Sequence, residues 1–371
     1  MASSNDIATI QSCLANSLSD FAIGANKIAG LIGDAPSHYS KSPALWNAAF
    51  HHLGINAVYL PFDVDDSRVG QLLDILKKSD RFLGANVTVP HKARVMGFLD
   101  ELDPSARRIQ SVNTIVRGAD GRLLGYNTDG EGFIESILTR QPDRTESFMP
   151  SLQGTSVLLL GAGGSARAVA FQLVDFLIGG ELLICNRTLE HALSLAAEIQ
   201  ESGHAALAIS EEQLWEHASK VGLIINSTTK GQGGVRKLSG GKVTKLEPYS
   251  ALAPAHAPAF AESDLATADF DHGWANAAWA DIESNNQASL TLAKSIPPNA
   301  RFYDLIYHPE ETVFLRHGRM TGHPTMNGKA MIINQAVSAF CKHICRVELQ
   351  ARGSATQETR QQILHVMYQA W

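Results

Sequence analysis

The sequence predicts an α/β protein of two domains, each with a sheet flanked by helices. Three observations predict it. The 371 residues exceed the ~100–200 of a single average domain. Strand-like apolar runs alternate with helical periodicity twice over, once from Lys27 and again from Ser156. A polar stretch, residues 141–154, separates the two alternations. With 44% hydrophobic and 18% charged residues the chain has ample material for a large core, which excludes wholesale disorder. Lys and Arg total 31 against 37 for Asp and Glu, a formal net charge of -6. That balance lacks the broad basic face that nucleic acid or an anionic membrane requires, so neither is an expected partner. An anionic ligand must be met by locally placed groups.

Residues 1–24 form a weakly patterned extension. The run IAGLIG (28–33) reads as a strand, followed by a helical pattern from Pro43 through Leu53. Residues 58–62 read as a strand, 67–78 as an amphipathic helix, and 84–89 as a strand stopped by Pro90. Such alternation implies a mainly parallel sheet. A connecting helix spans 131–140. The second alternation runs SVLLLG (156–161), a helix through about 178, ELLICN (181–186), a helix through about 202, and VGLIIN (221–226). A further strand-and-helix cluster opens at RFYDLIY (301–307). Residues 233–298 are rich in Gly, Ala and Pro. They are too many for one structureless loop and read as an insertion with some helix of its own.

No apolar run is long enough to span a bilayer; the best, 156–185, is broken by Arg167 and Asp175. The N-terminal segment carries Asp6 and Asp20 and no Arg, unlike a secretory signal or transit peptide. Four scattered cysteines (13, 185, 341 and 345) form no disulfide framework, so a reducing, cytoplasmic setting is the expectation. Cys341, His343 and Cys345 can share one helix face. A buried helix with small apolar cysteines explains them as well, and no metal is expected.

The strand SVLLL runs directly into Gly161-Ala162-Gly163-Gly164-Ser165-Ala166, and helical residues follow. This is G-x-G-x-x-A, the permitted variant of the dinucleotide fingerprint in its strand–turn–helix setting. Gly161 makes the tight turn, Gly163 lets a pyrophosphate approach the backbone, and Ala166 lets helix pack closely on strand. The helix N-terminus then offers N–H donors to phosphate. A tight βα turn with nothing bound is the bland alternative; the flanking elements favour a nucleotide. At the end of the next strand an NAD site usually carries Asp or Glu for the ribose 2′-hydroxyl. Asn186-Arg187-Thr188 stands there instead, with a guanidinium that can pair with a 2′-phosphate, which favours NADP, with NAD as the alternative.

Polar residues also gather at strand ends of the first domain. Ser40-Lys41-Ser42-Pro43 places two hydroxyls before a helix, more than one N-cap needs. Asn86-Val87-Thr88-Val89-Pro90-His91-Lys92 follows a strand, and a third group spans Asn113-Thr114 and Asn127-Thr128-Asp129-Gly130. With these strings in view the chain resembles the shikimate dehydrogenase family, which includes quinate and quinate/shikimate dehydrogenases. The matching strings are SKSP (40–43), NVTVPHK (86–92), SVNT (111–114), GYNTDGEGF (125–133), GAGGSARA (161–168), NRT (186–188), YDLIY (303–307) and GKAMIINQA (328–336), in the family's order.

The resemblance implies reversible hydride transfer between NADPH and 3-dehydroshikimate, giving shikimate, in aromatic amino-acid biosynthesis. Lys92 matches the family's catalytic lysine and Asp129 its partner. Hydride addition builds negative charge on a carbonyl oxygen, which a positioned ammonium stabilises and protonates. By the same carry-over Ser40 and Ser42, helped by Tyr307, hold the substrate carboxylate, while Asn86, Thr88, Asn113 and Gln335 bond the ring hydroxyls. Thr228 and Gly328 join Gly161–Ala166 and Asn186–Thr188 on the cofactor side. His91 reads as packing. The implied layout is a substrate-binding domain over 25–130, rejoined by 325–350, and a Rossmann-like NADP-binding domain over 131–324 with the insertion near 233–298. A homodimer is one assembly open to the chain, with the insertion as a candidate surface.

Departures from the family pattern are definite. Trp46 stands where a His usually precedes Asn47, and the loop between Gly33 and Ser40 is one residue longer. Thr229 and Gln232 replace Pro and Met near the expected nicotinamide. His191 replaces a second arginine after NRT and weakens the expected 2′-phosphate clamp. The insertion is long enough for a lid or an oligomer surface. An NAD-dependent quinate or quinate/shikimate dehydrogenase is the nearest rival, and Ser42 rather than Thr tilts the choice toward shikimate. A pterin-linked dehydrogenase fits SKSP and NTD less well. A non-catalytic metabolite-binding regulator is disfavoured by retention of Lys92 and Asp129.

Overall fold

The computed structural model describes residues 3–371 apart from residues 20, 22 and 25. It divides into unit 1, Met1–Ser147 with Ala330–Trp371, and unit 2, Phe148–Lys329. Unit 1 begins with α1 (Ser3–Gln11). Ile10, Cys13, Leu14, Leu18 and Ile23 all enter the unit 1 core, so the weakly patterned extension is a structural part of it. Polar anchors fix the segment as well. Asn16 accepts from the Asp63 backbone N–H at 2.9 Å and donates to the Pro61 carbonyl at 3.1 Å.

There follow β1 (Lys27–Gly33), a short α2 (Pro36–Tyr39), α3 (Ser42–His52) and β2 (Ala57–Asp63). A 3₁₀ turn at Asp66–Arg68 leads into α4 (Val69–Lys78), then β3 (Phe82–Val87). Leu72, Leu73 and Leu76 bury one face of α4 against the sheet, the arrangement its apolar spacing dictates. The unit continues through β4 (Glu101–Leu102), α5 (Pro104–Ile109), β5 (Thr114–Arg117), β6 (Leu123–Tyr126) and α6 (Asp129–Leu138). The six-stranded sheet has the order β2-β1-β3-β5-β6-β4. β1 pairs in parallel with β2 and β3, as the crossover helices require, whereas β5 runs antiparallel to β3 and β6. The antiparallel half departs from the mainly parallel expectation because a tight turn at Gly118–Arg122 joins β5 to β6 and permits only a hairpin.

Unit 2 contains β7 (Val157–Leu160), α7 (Gly164–Leu173), β8 (Leu182–Cys185), α8 (Leu189–Glu201), β9 (Ala206–Ile209), α9 (Leu214–His217) and β10 (Leu223–Asn226). The 233–298 insertion forms β11 (Val235–Leu238), β12 (Lys242–Lys245), β13 (Phe260–Ala261) and the 26-residue α10 (Phe270–Ser295). It has a small core of its own around Val243, Tyr249, Phe270 and Trp274. Then come β14 (Arg301–Asp304), α11 (Val313–Met320) and β15 (Thr325–Met326). The main sheet is wholly parallel, in the order β15-β14-β10-β7-β8-β9. The chain winds outward from β7 to β9, then returns to β10 on the other side of β7. That reversal makes the carboxyl ends of β7 and β10 a topological switch point, where open α/β sheets bind ligands.

The chain re-enters unit 1 at α12 (Lys329–Ser338), passes a π-helical turn at Ala339–Ile344, and ends with α13 (Arg346–Ala351) and α14 (Gln357–Gln369). The 325–350 segment that rejoins the substrate domain is therefore not one continuous helix, and α14 lies beyond it; α14 packs on α3. α6 also lies in unit 1, not at the head of the nucleotide domain where the 130/131 division put it. It meets α12 backbone to backbone: a Cβ on Gly132 would come within 2.5 Å of the Gln335 nitrogen.

Candidate active site

β3 ends at Val87, and the loop behind it carries Thr88, His91 and Lys92. The Lys92 carbonyl accepts from the Val112 N–H at 2.9 Å, which ties that loop to the residues preceding β5. Lys92 Nζ donates to Asp129 Oδ2 at 2.6 Å, with side-chain exposures of 20% and 7%, so the pair is largely withdrawn from water. Asp129 opens α6, and its second oxygen, Oδ1, accepts from Asn113 Nδ2 at 2.7 Å. Asn113 is itself fixed, because its Oδ1 accepts from the Thr128 N–H at 2.8 Å and from Thr114 Oγ1 at 2.9 Å. Its Nδ2 also reaches Thr128 Oγ1 at 3.0 Å and Gln335 Oε1 at 3.4 Å. One network of named atoms thus orients a single ammonium.

Gln335 is buried on α12 with Nε2 donating to the Ile332 carbonyl at 2.9 Å. Asn86 is buried too, and its amide is engaged within the protein. Nδ2 donates to Thr114 Oγ1 at 3.1 Å and to the Asn113 carbonyl at 3.3 Å, while Oδ1 accepts from Tyr59 Oη at 2.8 Å. The geometry makes Asn86 an orienter of its neighbours. Thr88 is half-buried, with its methyl against Gly33. Ser40 Oγ accepts from the Ser42 N–H at 3.1 Å, the local capping bond expected before α3. Ser42 is half-buried at the first position of that helix. The lengthened loop ahead of Ser40 is folded into α2 and pinned by Ser37, whose N–H and hydroxyl donate to Asp63 at 2.9 and 2.5 Å. Tyr307 belongs to unit 2, with its phenol pKa raised by burial.

Sequence reasoning missed Tyr59 and did not foresee what Trp46 does. The Tyr59 ring stacks on Trp46 at 4.8 Å, and burial raises its phenol pKa well above the usual value. Asn47 clamps the Tyr59 backbone, donating to its carbonyl at 3.0 Å and accepting from its N–H at 2.8 Å. Tyr59 lay inside an apolar strand pattern, where an inward hydroxyl leaves no periodic signal. His91 is a packed residue, its Nε2 2.8 Å from the Val64 carbonyl oxygen. In the 341–345 segment Cys345 is fully buried, burial pushes the Cys341 thiol up to about 12, and His343 packs on Tyr126.

In unit 2 Gly161 adopts φ +110°, open only to glycine, and a Cβ there would strike Ser227 Oγ at 2.6 Å. The turn after β7 therefore abuts the loop after β10. A Cβ at Gly163 meets nothing within 4 Å, so the backbone faces open space as close phosphate approach requires. Arg167 N–H to Gly163 O at 2.9 Å is the first helical bond of α7, leaving the Gly164, Ser165 and Ala166 amides, beside Ala162, without a partner inside the helix. Ala166 is fully buried. Asn226 Oδ1 accepts from the N–H and hydroxyl of Thr228 at 2.9 and 2.7 Å, and Asn226 Nδ2 donates to buried Asp304 at 3.0 Å. Burial lifts the Asp304 carboxyl to about 7, while bonds from Thr312, Ile306 and Asn226 act in the opposite direction. Gly328 lies against the backbone of Leu305, whose carbonyl oxygen a Cβ would strike, so packing demands glycine there. Asn186 Nδ2 donates to the Thr188 carbonyl at 2.8 Å, leaving Arg187 and Thr188 exposed just past β8.

The fold and these sites define a two-domain α/β oxidoreductase with a Rossmann-like nucleotide unit. Residues 31–115 match the shikimate dehydrogenase substrate binding domain, and residues 143–241 match the shikimate / quinate 5-dehydrogenase family. A shikimate dehydrogenase (NADP(+)) of Desulforamulus reducens is 35% identical over 324 residues, covering 85% of this chain and 89% of the relative. A solved shikimate dehydrogenase in complex with NADP+ is 29% identical with TM-score 0.64, covering 94% of this chain and 96% of that one. The Thermus thermophilus enzyme in complex with NADP(H) and shikimate is 25% identical with TM-score 0.63, covering 93% and 99%. The chain belongs to the shikimate/quinate dehydrogenase family.

Proposed function

We propose that the protein is an NADP-dependent shikimate dehydrogenase, catalysing reversible hydride transfer between NADPH and 3-dehydroshikimate to give shikimate. The observation that carries this reading is the Lys92–Asp129 ion pair at 2.6 Å, held by Asn113 inside a buried hydrogen-bond network. Reduction of a ketone needs one group that meets developing oxygen charge and supplies a proton, and Lys92 Nζ is that group. Asp129 orients the ammonium through its 2.6 Å bond. In the oxidative direction Lys92 Nζ takes the proton back. Ser40 and Ser42 serve the substrate carboxylate; Thr88, Asn113 and Gln335 serve the ring hydroxyls, with Asn86 holding Asn113 and Thr114 in place.

Unit 2 fits a nicotinamide dinucleotide phosphate. Gly161 turns the chain, Gly163 leaves the backbone approachable, and no carboxylate stands among the three residues that follow β8. Gly161–Ala166 would hold the pyrophosphate and Asn186–Thr188 the adenosine ribose and its phosphate, with Thr228 and Gly328 shaping the opposite wall. When bound, the nicotinamide supplies or accepts the hydride. Four free cysteines, each buried or half-buried, support a reducing, cytoplasmic setting.

The test is absorbance at 340 nm with purified protein, crossing shikimate and quinate with NADP and NAD. Reduction of NADP by shikimate above the other three pairs is the expected result. Faster reduction of NAD by quinate overturns the choice of substrate and cofactor. Binding without turnover in every pair overturns the enzymatic reading.

A further inference from the structure

His191, in the first turn of α8, leaves Arg187 without the second cation that the family pattern carries there for a 2′-phosphate. The structure supplies another guanidinium from elsewhere. Arg236 lies on β11, inside the insertion, and its Nη1 donates to Thr229 Oγ1. Thr229 directly follows Ser227-Thr228, the pair that Gly161 touches. Arg236 is thereby tethered beside the glycine turn at the switch point of the sheet. Arg187 stands past the end of β8, the strand next to β7.

Three other cations of unit 2 are paired with carboxylates. Arg167 forms a fork with Glu198 at 2.9 and 2.6 Å, Lys230 pairs with Glu211 at 2.6 Å, and Lys237 pairs with Glu262 at 2.8 Å. Arg187 and Arg236 have no carboxylate partner among the described residues. Arg236 is tethered just past the carboxyl end of β10 and Arg187 stands just past that of β8, with only β7 between the two strands; burial, and then the Arg187 charge, lowers the Arg236 pKa from its ordinary value. Two unpaired cations held together repel, and an anion between them removes the repulsion. A phosphate monoester presents several oxygens to two planar forks of donors, which suits guanidinium rather than ammonium.

We infer that Arg236 of the inserted hairpin is the second arm of a clamp with Arg187 that binds the 2′-phosphate of NADP. The inference deepens the proposed function and rests on it. It also gives the insertion a purpose, since part of it reads the cofactor. The pyrophosphate belongs to the Gly161–Ala166 turn and the helix behind it. The end of β8 is where the ribose is read, so the pair of arginines discriminates NADP from NAD.

Calorimetric titration of the whole protein with NADP+ and NAD+, and with the probes 2′,5′-ADP and 5′-AMP, tests this in wild type, R236Q, R236K and R187Q. Losing one charge-assisted contact is expected to weaken NADP+ and 2′,5′-ADP by about 10- to 100-fold in R236Q, with NAD+ and 5′-AMP changed by less than about three-fold. R236K should recover part of the loss. An equal loss of NADP+ and NAD+ affinity means that Arg236 only braces the loop through Thr229, and the clamp is wrong. Unchanged 2′,5′-ADP binding in R236Q also overturns it, while leaving the proposed function intact. Wild type that oxidises shikimate with NAD but fails to bind 2′,5′-ADP overturns both the clamp and the NADP assignment.

Discussion

Replacing Asp129 with Asn tests the site at its most constrained atom. The carboxylate accepts on both sides, from Lys92 Nζ at 2.6 Å and from Asn113 Nδ2 at 2.7 Å. An amide has one oxygen and one NH₂, so whichever way it turns, a donor faces a donor. Asn113 cannot relieve the clash by flipping, since its own oxygen already takes the Thr128 N–H and the Thr114 hydroxyl. One charge-assisted bond is therefore lost outright, worth roughly 1.5–3 kcal/mol. If that bond orients Lys92 in the transition state, kcat/KM for shikimate oxidation falls roughly 10- to 150-fold. The assay is the initial rate at 340 nm, with a melting curve to show that the variant is folded. A folded D129N enzyme within about three-fold of wild type would mean that the ion pair is structural and that the acid/base assignment fails.

Lys92→Ala removes the proton carrier itself and should lower kcat by ~100–10,000-fold; steady-state rates check this, and a few-fold change refutes the role. Gly132→Ala drives a methyl into the Gln335 backbone, at 2.5 Å from its nitrogen. Overpacking of this kind costs about 1–3 kcal/mol, and the displaced α12 should raise KM for shikimate, read from melting curves and saturation kinetics. The pH dependence of stability should carry the signature of Asp304. Its carboxyl is lifted to about 7 from 3.8 by burial, so between those values the unfolded chain releases a proton that the folded chain keeps. Stability from this group is then greatest at the acid end and is lost as pH rises through about 7. Asp304→Asn keeps the oxygen for Asn226 and Ile306, so melting temperatures of wild type and variant at pH 5, 6, 7 and 8 should diverge, wild type losing ground as pH rises. Parallel curves contradict it.

Local chemistry made much of this molecule legible. Apolar runs such as Leu158–Leu160 and Leu183–Ile184 are buried on both faces of a parallel sheet, and unbroken hydrophobicity is the sign of that. Gly161 announces its turn because the required φ admits no other residue. The β5–β6 hairpin was missed although Asp120-Gly121, with Gly121 at φ +83°, marks its turn. The segment from Ile10 to Leu18 spaces its apolar residues at 10, 13, 14 and 18 as a helix would, yet α1 ends at Gln11 and the rest packs as turns. Contacts distant in sequence left no trace at all. Asn113 meets Gln335 across 222 residues, and Tyr59 finds Asn86 across 27. Lys92 and Asp129 were singled out by resemblance, while what locks them emerged only from the fold. Arg236 was invisible for the same reason: nothing near it in the chain says that Thr229 will hold it beside the glycine turn.

Unit 1 is closed by residues that come last. Phe340 packs on Trp46 at 5.2 Å and on Phe50 at 5.4 Å, and α14 covers α3. During synthesis all of unit 2 must be made between Ser147 and Ala330. At ~5–20 residues per second that takes on the order of ten to forty seconds. Throughout that interval Trp46 and Phe50 lack their cover from Phe340, and the half-built substrate unit is an aggregation hazard; at its end the nucleotide unit is complete and the substrate unit is not. The nucleotide unit is thus finished before the substrate unit, and Trp46 and Phe50 mark the surface that stays open until the last residues of unit 1 are made.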